Sequence, residues 1–116
     1  MMLGTDITTT RQPSFDHWTT SHGHKLYMSE KRSLIAPAIG TLLLVHGSSM
    51  GSQGFDLDIP GDPDASIMDY FTTRGFNVWR FDCIGYGRSD KPADHLATVP
   101  QAVPDLLAVT DYIKAQ

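Results

Sequence analysis

The chain has 116 residues, 41% of them hydrophobic and 19% charged, and carries a formal net charge of −4. That is room for one small domain, and the balance belongs to a globular protein rather than a disordered or fibrous one. Lys and Arg are scattered along a mildly acidic chain, so there is no basic footprint for nucleic acid, and that class of partner is excluded.

Residues 1–14 are Thr-rich and polar, with little apolar surface to bury, and are expected to form a flexible tail. No basic start leads into an apolar stretch there, so a secretory signal is not read and a cytoplasmic location is expected. The domain proper is expected over residues 15–116. It opens with a hairpin, in which residues 15–20 and 25–30 flank Ser21-His-Gly-His24, a short connection with a glycine for a positive φ. Two histidines without a third ligand, His22 and His24, read as solvent-exposed rather than as a metal site. A loop with Pro37 follows over residues 33–39.

Gly40-Thr-Leu-Leu-Leu-Val-His46 is an unbroken apolar run of strand length, which predicts a strand buried on both faces, as in a parallel sheet. It is far too short to span a membrane. A Gly/Asp/Pro-rich loop covers residues 47–65. Ser66-Ile-Met-Asp69 then matches a capping box with Asp in the acidic position and predicts a helix that carries Ile67, Tyr70 and Phe71 on one face. Gly75 is placed to close it in a left-handed cap, with Phe76 reaching back to the helix. Residues 77–82 form the next predicted strand, so the unit is βαβ with a right-handed crossover. The lone cysteine, Cys83, rules out an internal disulfide and suits a reducing compartment. A last helix is predicted from about residue 100 or 104 to 115, with a stripe of Val103, Leu106, Leu107, Thr110 and Ile113. Pro104 is comfortable only in a first turn, which leaves two starts open.

Two junctions carry chemistry. His46-Gly47-Ser48-Ser49 follows the apolar strand. Gly47 would let the chain turn sharply off the strand end, and a backbone N–H just beyond it is a fixed dipole aimed where negative charge develops. Taken alone, the pair reads first as a strand end with a packed or hydrogen-bonded histidine. The second junction is Asp82-Cys-Ile-Gly-Tyr-Gly-Arg-Ser89, where Gly85 and Gly87 allow a tight turn and Asp82 and Ser89 can bond nearby backbone N–H groups. A dinucleotide loop at Gly47–Gly54 is disfavoured, because Pro60 and Pro63 separate it from the helix and Asp82 lies too far on. No Gly-Lys-Ser/Thr exists for a P-loop, and no cofactor is expected.

Hairpin, apolar strand, His46-Gly47, capped helix, strand, Asp82-to-Ser89 motif and further helix stand in the order found in α/β-hydrolases. Residues 15–116 resemble the N-terminal half of such a protein, of the esterase, carbon–carbon bond hydrolase and epoxide hydrolase-like group. The resemblance implies an α/β class and a partial hydrolase sheet, truncated before the nucleophile strand. It implies an oxyanion hole built on the backbone N–H of Ser48, or of Ser49 as second choice. His46, Gly47, Asp82, Gly85, Gly87 and Ser89 would be motif and scaffold residues. In the family the nucleophile sits on a later Gly-x-Ser-x-Gly elbow, with the acid and catalytic histidine further on. Gly47-Ser-Ser-Met-Gly51 fits the bare pattern, but it precedes the Asp82-to-Ser89 motif, and no such run follows that motif in this sequence. His17, His22, His24, His46 and His95 all precede the elbow's place, so none carries over as the base.

The chain is therefore expected to lack nucleophile, acid and base, and to be inactive alone. Ser48-Ser49 stand where epoxide hydrolases usually place Pro and dehalogenases Asn, which tilts the reading to a serine-type enzyme acting on small ester-like substrates, without cofactor or metal. The alternative is a non-catalytic α/β module that binds a ligand or partner. The loop over residues 52–65 would lie near the site's mouth and reads first as plain surface. One edge of the apolar strand would be left open without Lys or Pro to guard it, so self-association is expected through it.

Overall fold

His22 and Gly23 both sit at positive φ, 51° and 79°. A two-residue turn of that kind matches the right-handed twist of the strands that it joins. Those strands are β1 (Ser14–Ser21) and β2 (His24–Lys31), paired antiparallel from Ser14↔Lys31 to Ser21↔His24. In this computed structural model, which describes residues 11–48, 50–62, 64–95 and 98–116, there follow β3 (Gly40–Leu44), α1 (Ile67–Thr72), β4 (Phe76–Phe81) and α2 (Val99–Lys114). The sheet order is β1-β2-β4-β3, with β2–β4 antiparallel and β3–β4 parallel.

Strand side chains alternate between faces, so the register sorts the sheet. Met28 opposite Phe81 and Glu30 opposite Trp79 share one face; Ser29 opposite Arg80 and Lys31 opposite Val78 share the other. The first face carries the apolar core, where Leu26, Met28, Trp79, Phe81, Cys83 and Ile84 pack with Val109 of α2. The second face meets α1 through charge. Lys31, 1% exposed, donates to Asp69 at 2.9 Å and to Asp56 at 2.7 Å. A buried ammonium is tolerable only when paired in this way. Arg11 adds 3.1 Å ion pairs to the same two aspartates, and the Gln12 N–H donates to Asp69. Of the expected tail, residues 1–10 lie outside the described residues, Arg11 and Gln12 make these contacts, and Ser14 already starts β1.

Several elements differ from the sequence-based expectation. β3 is half-buried rather than covered on both faces, because it is the sheet's edge and one flank has no strand among the described residues. In α1, Ser66 caps as expected by accepting from the Asp69 N–H at 3.1 Å. The Asp69 carboxylate is not returned to the cap, since Lys31 and Gln12 take it. The buried side of α1 is Met68, Asp69 and Thr72, while Ile67 and Tyr70 are exposed. Gly75 closes the helix at φ 103°, and Phe76 meets Phe71 edge to face with centroids 6.0 Å apart.

α2 also turns the other way. Asp105 and Val109 are buried, with Ala102, Ala108, Tyr112 and Ile113 against the core, whereas Val103, Leu106 and Leu107 are exposed. The helix begins at Val99, so Pro104 lies inside it, and the Pro100 carbonyl has no N–H four residues on to accept from. The loop before α1 is exposed over residues 57–62, as a surface loop should be, and a 3-10 turn at Ser52–Phe55 with bridges Asp56↔Ser66 and Ile59↔Asp62 holds it in place. No described helix is long and apolar enough to cross a membrane.

Candidate functional site

Adjacent parallel strands whose following connections leave to opposite faces open a crevice at their carboxyl ends. β3 and β4 are such a pair, since β3 leads to α1 on the charged face and β4 to α2 on the apolar one. A cleft of about 260 Å³ lies at that point, lined by Gly47 and Ser48 from one connection, Cys83, Ile84 and Tyr86 from the other, and Asp105 from α2.

His46 ties the two connections together. Its Nε2 accepts from the Cys83 N–H at 3.1 Å, and its Nδ1–H donates to the Gly47 carbonyl at 2.6 Å. Both ring nitrogens are thereby engaged, which selects the neutral Nδ1–H tautomer. The ring packs on Tyr86, centroids 4.8 Å apart, and the Tyr86 hydroxyl donates to the Ser48 carbonyl at 2.5 Å. At Gly47 φ is not in the left-handed region, and an added Cβ would meet nothing within 4 Å among the described residues. The missing side chain leaves open space over the end of β3. Ser48 is exposed on the cleft wall, and its N–H donates to no described group. Ser49 lies outside the described residues.

The Asp82-to-Ser89 stretch is a knot of backbone bonds beside the cleft. Asp82 Oδ1 accepts from the Ser52 N–H and hydroxyl, both at 2.7 Å, and Oδ2 from the Arg88 N–H at 2.9 Å. Ser89 Oγ accepts from the Tyr27 N–H at 2.9 Å and donates to the Asp82 carbonyl at 2.5 Å, joining the knot to β2. Gly85 and Gly87 turn it at φ 95° and 50°. At Gly87 a Cβ would stand 2.2 Å from Asp82 Oδ2, so the carboxylate itself occupies the place of a side chain. Burial, then the charges of Asp105 and Asp82, push the Cys83 thiol up to about 11, which keeps it protonated and unreactive at neutral pH.

Three participants were not anticipated: Ser52, Tyr86 and Asp105. Only Asp105 left a trace in the sequence, as the one acid in the helical row Ala102, Asp105, Val109, Tyr112. Its Oδ2 accepts from the Ile84 N–H at 2.9 Å. A second space of about 440 Å³ adjoins the cleft and is lined by His22, His24, Asp94, His95, Gln101 and Asp105. Among the described residues no three His, Cys, Asp or Glu are grouped to hold a metal ion.

Neither a protein-family model nor a curated protein sequence matches the chain. Solved structures do. An esterase from Pyrococcus furiosus superposes with a TM-score of 0.68 at 18% identity, over 90% of this chain and 37% of that one. A haloalkane dehalogenase loop variant from Bradyrhizobium elkanii gives 0.65 at 22% identity, over 88% of this chain and 29% of its own. An epoxide hydrolase from Vigna radiata gives 0.61 at 17% identity, over 87% and 28%. The chain thus spans between a quarter and two fifths of the length of these structures. With its strand order, its cleft at the carboxyl ends of β3 and β4, and these likenesses, the chain has the fold of the N-terminal part of an α/β-hydrolase.

Proposed function

We propose that the chain supplies the oxyanion side of a serine-type hydrolase acting on esters or similar acyl substrates. The observation that carries this reading is the Ser48 N–H, which donates to none of the described residues, beside the open space at Gly47 on the wall of the switch-point cleft. A backbone donor held there would stabilise a developing oxyanion in a partly dehydrated setting, an interaction worth about 3 kcal/mol in enzymes where one such donor has been removed. His46 and Tyr86 act by position, fixing Gly47 and Ser48 against the β4 connection. An activated serine from a later elbow would attack the acyl carbon, and water would release the acyl-enzyme, without a cofactor.

On this reading the isolated chain hydrolyses no p-nitrophenyl acetate above a buffer blank. The coding sequence 3′ of the Gln116 codon is expected to continue into a strand and Gly-x-Ser-x-Gly. In the polypeptide carrying both, Ser48→Pro removes the N–H and lowers kcat by about 10²-fold or more with KM little changed, while Ser48→Ala, which keeps it, does not. Turnover by the isolated chain through one of its own serines, or an active Ser48→Pro enzyme, would overturn the proposal in favour of a different site.

A further inference from the structure

Three carboxylates of the described residues are almost wholly buried: Asp69, Asp82 and Asp105. Asp69 is paired with Lys31 and Arg11, and Asp82 accepts from three donors. Asp105, 2% exposed, has only the Ile84 N–H on Oδ2, and Oδ1 has no partner among the described residues. A buried carboxylate held by one neutral donor is a costly arrangement unless something else satisfies it.

What faces it is open space on two sides. Asp105 lines both the 260 Å³ cleft and the adjoining 440 Å³ cavity, and no Lys or Arg lines either. The second cavity adds Asp94, and Gln101 lines it with a buried Oε1 that also lacks a partner. The first is walled by Ile84, Val99 and Tyr86. The pair therefore offers acceptors at its floor, an apolar wall beside them, and no resident cation.

We propose that the adjoining cavities bind an organic cation, a primary ammonium group on an apolar body, with Asp105 Oδ1 as its counter-ion. The apolar body would lie in the first cavity and the ammonium group between the two. The inference rests on the hydrolase reading only for the ligand being a substrate or its leaving group, not for its being bound.

The test needs no turnover. The full chain, labelled with ¹⁵N, is titrated separately with benzylamine (cationic at neutral pH), benzyl alcohol and benzoate, following the Ile84 amide. Benzylammonium is expected to bind about tenfold or more tightly than benzyl alcohol, with benzoate weakest, since a hydrogen bond to a charged group is worth that much. Asp105→Asn should erase the preference. Equal affinities, or a preference for the alcohol or the anion, would overturn the inference. Should Asp105→Asn fail to fold, the ranking of the three probes on the unaltered chain decides alone. A negative result here leaves a hydrolase of neutral substrates, whereas a failed Ser48→Pro experiment leaves the cation site standing.

Discussion

The glycines separate cleanly by what their missing side chain makes room for. At Gly87 the vacancy is filled by the Asp82 carboxylate, and the φ of 50° is one that other residues adopt with strain. Gly87→Ala should therefore lower stability by about 2 kcal/mol or more, read as the urea midpoint. At Gly47 the vacancy is empty, so Gly47→Ala should shift the same midpoint by no more than about 0.5 kcal/mol. If the two substitutions cost the same, the division between knot and open wall is wrong. Gly85 and Gly87 were legible as turn glycines because the spacing of Asp82 and Ser89 around them is a local pattern. Ser52 was not, because its bond to Asp82 joins residues far apart in sequence.

At the scale of elements, periodicity found the helices and missed their orientation. In α2 the more hydrophobic side is Val103, Leu106 and Leu107, but the sheet takes the side carrying Ala102, Ala108 and Val109, whose small residues allow close approach. In α1 the sheet takes Asp69, which no hydrophobic pattern selects, because its partner Lys31 sits on another element. That ionic joint gives α1 a pH dependence. Burial raises the Asp56 carboxyl, but hydrogen bonds from Lys31 and Ser66 and the charges of Lys31 and Arg11 outweigh it, leaving it below its ordinary 3.8. A depressed folded-state value contributes stability that is present above 3.8 and lost as pH falls through the lower folded value. The melting temperature should therefore fall from about pH 5 to about pH 2, and fall less steeply in Asp56→Asn. A variant with an unchanged slope would remove Asp56 from the account.

For the whole molecule, the fold class was readable because hairpin, strand, helix and strand each had local signals in the right order. The open flank of β3 was inferred from that order as well. Ile39 and Val45 are exposed at its ends, and no charged residue or proline lies within Gly40–Leu44. Self-association through this flank remains our proposal, and Thr41→Lys, at an exposed position of the strand, is the test. Light scattering after size exclusion should show more associated material for the unaltered chain than for Thr41→Lys. Equal distributions would place any association elsewhere.

The sheet has a further consequence as a partition. One side is held by apolar packing around Trp79, Phe81 and Val109, the other by Met68 and Val78 together with the ion pairs of Lys31, Arg11, Asp56 and Asp69. Apolar adhesion weakens on cooling, while carboxylate ion pairs weaken in acid, and pairs as buried as Lys31–Asp69 are little screened by salt. The two helices are thus fastened by joints that answer to different solvents. Cold would loosen α2 first and acid α1, so one small chain has two separate ways of coming apart.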